Sequence, residues 1–195
     1  MSAAGRVCTG FSLPYVATYT NNNGTITYSS GQKLARGVDV SIEPSASDNV
    51  FYADNVEAEV ANQFTGGSFT LTVDGLLPGA EKLIMGLPAV TTGGSWYTYD
   101  DDRNPGFFGL GFIARYMQDG VAKYVPYVLA KVAFDPINTS AATQEAEISW
   151  QTQSITGKIM RAEDAKHTWK YLGVEYSTEA LAEAALKTKL GISNG

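Results

Sequence analysis

The stretch NVEAEVANQFTGGSFTLTVD, residues 55–74, decides the fold class. Between 55 and 64, Val56, Ala58 and Val60 fall on one side of an extended chain and Glu57 and Glu59 on the other. Successive side chains of a strand point to opposite faces, so this is the pattern of a half-buried strand. Thr65-Gly66-Gly67 has the composition of a turn. Residues 68–74 resume the alternation, with Phe69, Leu71 and Val73 opposite Ser68, Thr70 and Thr72. Together the two halves predict a hairpin with one apolar and one polar face.

The same period extends outward. Residues 15–20 and 25–29 predict two strands joined by the turn Asn21-Asn22-Asn23-Gly24. Residues 33–42 predict a longer strand with a break near Gly37, where a bulge is expected, followed by a loop over 44–49. Residues 107–118 and 121–134 flank Asp119-Gly120, a strong two-residue hairpin signal. Pro126 inside the second of these predicts an edge or a bulge. Residues 136–143 predict a loop, and 145–152 and 155–161 further strands.

Two segments change period. Residues 78–85 predict a short helix, with Pro78 in its first turn and Gly86 at its end. Near the C-terminus Ala182, Leu186 and Leu190 recur at helical spacing, Ser177 is the expected N-cap, and Gly191 can close the helix. The expected fold is mainly β. It is an antiparallel β-sandwich or partly open barrel of about nine to eleven strands, with one or two short helices packed on it. One domain spans 1–195. A segment at 1–14, a turn-rich loop at 87–106 and the C-terminal helix or arm at 177–195 are the expected inter-subunit elements.

Composition narrows the function. Charged residues make up 17% of the chain, below the roughly 25% of an average soluble domain, so much of the surface is neutral. The net charge is −6 and the Lys and Arg residues are dispersed, which disfavours a surface that grips nucleic acid through its phosphates. The single cysteine, Cys8, excludes an internal disulfide and a cysteine-rich zinc site. No h-region follows Arg6, and Pro88, Gly93 and Gly94 interrupt the uncharged run at 83–99. The expectation is a protein that stays where it is made or leaves inside an assembly, with no membrane partner.

Each group able to do chemistry has a plainer reading beside it. The lone histidine, His167, would need a nucleophile or acid in reach to serve as a base, and otherwise belongs to a loop or strand end. Asp100-Asp101-Asp102 lacks the spaced donors, glycine and terminal Glu of a calcium loop, and fits a solvated loop tip. Glu57 and Glu59 lie on one strand face about 7 Å apart, a surface row of charge more than a hydrolytic pair. The glycine-rich run 106–111 matches neither the phosphate loop nor the dinucleotide fingerprint. Trp96, Tyr97 and Tyr99 suit either a sugar-stacking platform or a contact with another subunit. The expectation is a protein that is not an enzyme and uses no cofactor or metal. A carbohydrate-binding β-sandwich is the alternative.

Four blocks in order carry a resemblance. They are Tyr52-Ala53-Asp54-Asn55 before an acidic strand, Gly86-Leu87 after the short helix, PGFFGLGFI at 105–113 running into the 119–131 hairpin, and WQTQSITG at 150–157. In this order, over roughly 33–160, they resemble the major tail tube proteins of long non-contractile-tailed bacteriophages. Where that family usually has Gln-Thr-Pro, this chain has Gln153-Ser154 in place of the proline. The resemblance implies a structural virion protein, assembled in the host cytoplasm, whose hexameric rings join their sheets into a continuous barrel. It implies that the rings stack into a tube around a tape measure protein, meet tail completion or terminator proteins, and let DNA transit without specific binding. On this reading Glu57 and Glu59, with Glu145 and Glu147, are expected to face the lumen and repel DNA. Trp96, Tyr97, Tyr99 and Asp101 are expected to bridge subunits or rings.

Overall fold

The computed structural model describes residues 5–53, 56–88, 90, 94–101, 103–139, 143 and 151–193, with the backbone alone described over 48–53 and 56–62. In chain order the elements are β1 (Val7–Asn22), β2 (Thr25–Lys33), β3 (Gly37–Ala53), β4 (Val56–Val73), α1 (Pro78–Met85), β5 (Phe108–Gln118), β6 (Val121–Phe134), β7 (Gln153–Met160), β8 (Lys170–Leu172) and α2 (Glu179–Lys189). The protein is mainly β. Among the described residues the strands form one eight-stranded sheet in the order β2-β1-β5-β6-β7-β4-β3, with β8 paired to β6. Every pairing is antiparallel.

The sheet rolls up without closing. Gly37, the first residue of β3, lies so close to the Phe11 ring of β1 that a Cβ there would overlap it, which brings the start of β3 back against β1. Among the described residues no ladder joins β3 to β1 or β2, so the barrel stays partly open. Its inner core gathers Val16, Leu34, Phe69, Leu71, Phe108 and Leu110, with Ala80, Ile84 and Met85 of α1. Burying each large side chain of this kind contributes about 1.5–3 kcal/mol. The outer face of the same strands holds a second core, where Ala17 and Ile113 meet Ala182, Leu186 and Leu190 of α2. Val16 lies under one helix and Ala17 under the other, so α1 and α2 cover opposite faces of the sheet.

Local chemistry explains the turns and caps. Asn23 and Gly24 have φ of 50° and 85°, and Asp119 and Gly120 have 49° and 77°, the left-handed pair that a tight hairpin demands. Gly86 takes φ 62° after α1 and Gly191 takes φ 62° after α2, each ending its helix as the sequence predicts. The N-cap of α2 is Thr178, one residue beyond the expected Ser177; its hydroxyl accepts from the Leu181 N–H. Pro126 sits inside β6, a central strand. Its carbonyl accepts from the Gly173 N–H between the β8 ladder and the Tyr124–Tyr176 bridge, a local gap in pairing that tolerates the missing N–H.

The opening stretch folds differently from the expectation. Residues 56–64 and 68–73 do not form a hairpin with each other; they are one strand, β4, whose partner is β3 from Gly37↔Val73 to Ala53↔Val56. Thr65-Gly66-Gly67 is a point of close approach within that strand. A Cβ on Gly67 would come within 2.6 Å of the Glu43 carbonyl oxygen. The expected 44–49 loop is likewise strand, and β3 absorbs Pro44 because it is an edge strand with a register shift between Ser45 and Ala46. The described residues hold eight strands against the expected nine to eleven: 56–64 and 68–73 merge into β4, and β8 is an added short strand. The expected 145–152 strand falls largely on 144–150, outside the described residues.

Candidate functional site

The surfaces most able to act are the sheet's two open edges and the arm that continues one of them. β7 pairs with β4 only from Gly67↔Ile159 to Val73↔Gln153. Beyond Gly67, among the described residues, 46–53 and 56–64 pair only with each other, as a two-stranded ribbon extending roughly 25 Å past the sheet at about 3.3 Å per residue. Arg161 braces its base, donating from Nε and Nη2 to the Phe64 carbonyl. The Phe64 ring stacks on Trp169 at 4.4 Å between centroids, and Lys170 Nζ lies 4.8 Å over the same indole. At the opposite end of the sheet β2 is the other edge, paired among the described residues only with β1. Unpaired strand edges are templates for a further strand.

The aromatic loop is docked on α1. Lys82 Nζ lies 5.2 Å from the Tyr97 ring, and the Tyr99 hydroxyl donates to Glu81 Oε1 at 2.9 Å. Partial burial, then the hydrogen bond to Glu81, raises the Tyr99 phenol above its ordinary range. Trp96 keeps 85% of its surface in solvent, and Asp101, five residues on, is also exposed. The structure therefore brings Tyr97 and Tyr99 together on one helix and turns the indole outward. The acidic set is not placed: Glu145 and Glu147 lie outside the described residues, as do the side chains of Glu57 and Glu59.

Sequence reasoning missed an ion pair made by a buried lysine. Lys131, 4% exposed, donates to Glu163 Oε1, with the Phe107 ring 4.1 Å and the Tyr19 ring 5.3 Å from its ammonium. The Tyr19 hydroxyl also donates to Glu163, at 3.0 Å. The Lys131 hydrogen bond, opposed by partial burial and aided by Tyr19, holds the Glu163 carboxyl below the usual carboxylate range. The available signal was one lysine within the apolar run 128–134; its partner lies 32 residues away, on the turn after β7. Elsewhere a tyrosine pair, Tyr116 and Tyr127, shares a hydroxyl contact of 2.8 Å. Burial and that bond push the Tyr127 phenol up to about 12.

His167 Nδ1 stands 3.4 Å from the Ala162 carbonyl, within the turn 161–168. Among the described residues no three His, Cys, Asp or Glu side chains converge as a metal site would require. A polar cavity of about 500 Å³ opens beside β7, with Asp74, Asn138, Gln151 and Ser154 in its wall. Its side chains offer hydrogen bonds to a ligand. No helix among the described residues is long and apolar enough to cross a membrane, which leaves strand-based crossing unaddressed. No family model matches the chain, and no curated protein matches it.

Proposed function

We propose that the chain is a structural subunit of a phage-type tail tube, assembling through its sheet edges into rings that stack around a central channel. The observation that supports this best is the pair of dissimilar edges that are open among the described residues, β2 at one end of the sheet and β3, prolonged into the ribbon arm, at the other. A contact between unlike edges is heterologous and closes into a ring when the rotation permits. Main-chain hydrogen bonding across such an edge supplies affinity without a specialised site. An isolated two-stranded ribbon is marginal in water, so the arm gains stability when a neighbour covers it. The low share of charge, 17%, and the net charge of −6 suit a surface covered by copies of itself around a channel that does not retain DNA. On this reading Glu57, Glu59, Glu145 and Glu147 supply the lumen charge, and a tape measure protein and tail terminator are the remaining partners.

Sedimentation velocity across a concentration series tests the proposal. Rings and polymers should appear as concentration rises. A single monomer boundary at every concentration, with and without a preformed initiating complex, would refute it. Carbohydrate binding is the second reading, favoured by the exposed Trp96 indole. Quenching of Trp96 fluorescence by glycans at millimolar concentration would support it.

A further inference from the structure

We propose that Trp96 of one copy seats in a cavity on the outer face of the next copy, between α2 and β8. The inference rests on the assembly reading and names the receptor for the aromatic side chain most exposed among the described residues. The indole is 85% exposed, while its neighbours Tyr97 and Tyr99 are held to α1 by Lys82 and Glu81. The loop therefore presents Trp96 as a knob from a docked base, which lowers the entropy lost when it is bound. Exposed tryptophans that later become buried are typical anchors of interfaces.

A matching hole lies on the other side of the sheet. A cavity of about 310 Å³ opens between α2 and β8, walled by Pro126, Tyr171, Gly173, Ala185 and Lys189. That is near the low end of pocket sizes, roughly 300–1,000 Å³, and suits one large side chain. Its surroundings are apolar and open to solvent. Leu172 in the wall is 59% exposed, and Leu181, one helical turn before Ala185 on the same face of α2, is 53% exposed.

Charge favours the same pairing. Lys189 Nζ lies 3.7 Å over the Tyr171 ring at the cavity, and the knob loop carries the exposed Asp101. A loop carrying carboxylates thus meets a hole edged by an ammonium, which directs this loop to this cavity. Placement excludes self-satisfaction through a two-fold pair using one patch. The loop is docked on α1 and the cavity on α2, on opposite faces of the sheet. The contact is head-to-tail and can propagate from copy to copy.

Cross-linking between differently tagged chains tests this. One chain carries Ser95→Cys, the other Leu181→Cys, and both carry Cys8→Ser to remove the exposed native thiol. A short bismaleimide should join the two chains at least tenfold more than either chain with itself. Adding Trp96→Ala to the first chain should abolish the excess, and Trp96→Ala alone should raise the polymerisation threshold at least tenfold. Polymers without the 95–181 cross-link would overturn the inference and leave the assembly reading intact. Cross-linked pairs without rings or tubes at any concentration would uphold the contact and overturn that reading. A cross-link that persists unchanged with Trp96→Ala would overturn the role of the indole.

Discussion

Removing Glu163 should destabilise the fold more than removing Lys131, although the two form one ion pair. Lys131 is almost wholly buried, whereas half of the Glu163 side chain is exposed. In Glu163→Ala the ammonium stays inside without its carboxylate, and the Tyr19 hydroxyl loses its acceptor. Breaking a buried pair from one side costs about 3–5 kcal/mol. Two features reduce that figure here. Water reaches the exposed half of the site, and the Phe107 and Tyr19 rings continue to attract the cation. The expected loss is then roughly 2 kcal/mol, or about 4–8 °C in Tm for a chain of this size. Lys131→Met leaves a carboxylate that water can solvate and sets a thioether against the two rings, so its change should stay within about 1 kcal/mol. Thermal unfolding followed by circular dichroism, below the concentration at which copies associate, measures both. Because the Glu163 carboxyl is held below its unfolded value, its contribution is present above that value and is lost as pH falls through the lowered one. Glu163→Ala should therefore lose less stability on acidification than the parent. Equal losses in the two variants, or a larger loss in Lys131→Met, would refute the asymmetry.

Three other perturbations follow from the same geometry. Arg161→Ala frees the Phe64 carbonyl at the base of the arm, and should speed amide hydrogen exchange over 46–64 while leaving exchange in β5 and β6 unchanged. Gly157→Ala places a Cβ against the Ala133 carbonyl oxygen and the Phe69 ring, and should cost about 1–3 kcal/mol in a urea melt. The Tyr127 phenol is raised to about 12, so the neutral form is favoured in the fold. Its contribution is complete below the unfolded value of about 10 and is lost as pH rises from there to about 12. Tyr127→Phe should flatten the fall of the urea midpoint across that window.

Much of the architecture was legible because it depends on local chemistry. Asp119-Gly120 and Asn23-Gly24 can adopt left-handed φ cheaply, and Pro78 with Gly86 brackets α1 by the same kind of rule. The β3–β4 ribbon was not legible, because Pro44 and Gly66-Gly67 carry the composition of turns. Only the edge position of β3, and the close approach of Gly67 to Glu43, reveal that both belong to strands. Those are tertiary facts, and a window of neighbouring residues does not contain them. The exposed aromatic loop was legible as an aromatic-rich segment, but its docking on α1 was not. Tyr99 finds Glu81 at a distance of 18 residues, and no pattern in either segment names the other. The Lys131–Glu163 pair escaped for the same reason. A lone lysine among apolar residues announces a partner without saying which.

The central claim is that the open edges of this sheet join copies into rings and tubes. Negative-stain electron microscopy of the concentrated protein tests it most directly. The account predicts rings with six-fold symmetry, or tubes built from them, with a central channel. Isolated monomers at every concentration, or closed two-fold dimers without rings, would contradict it.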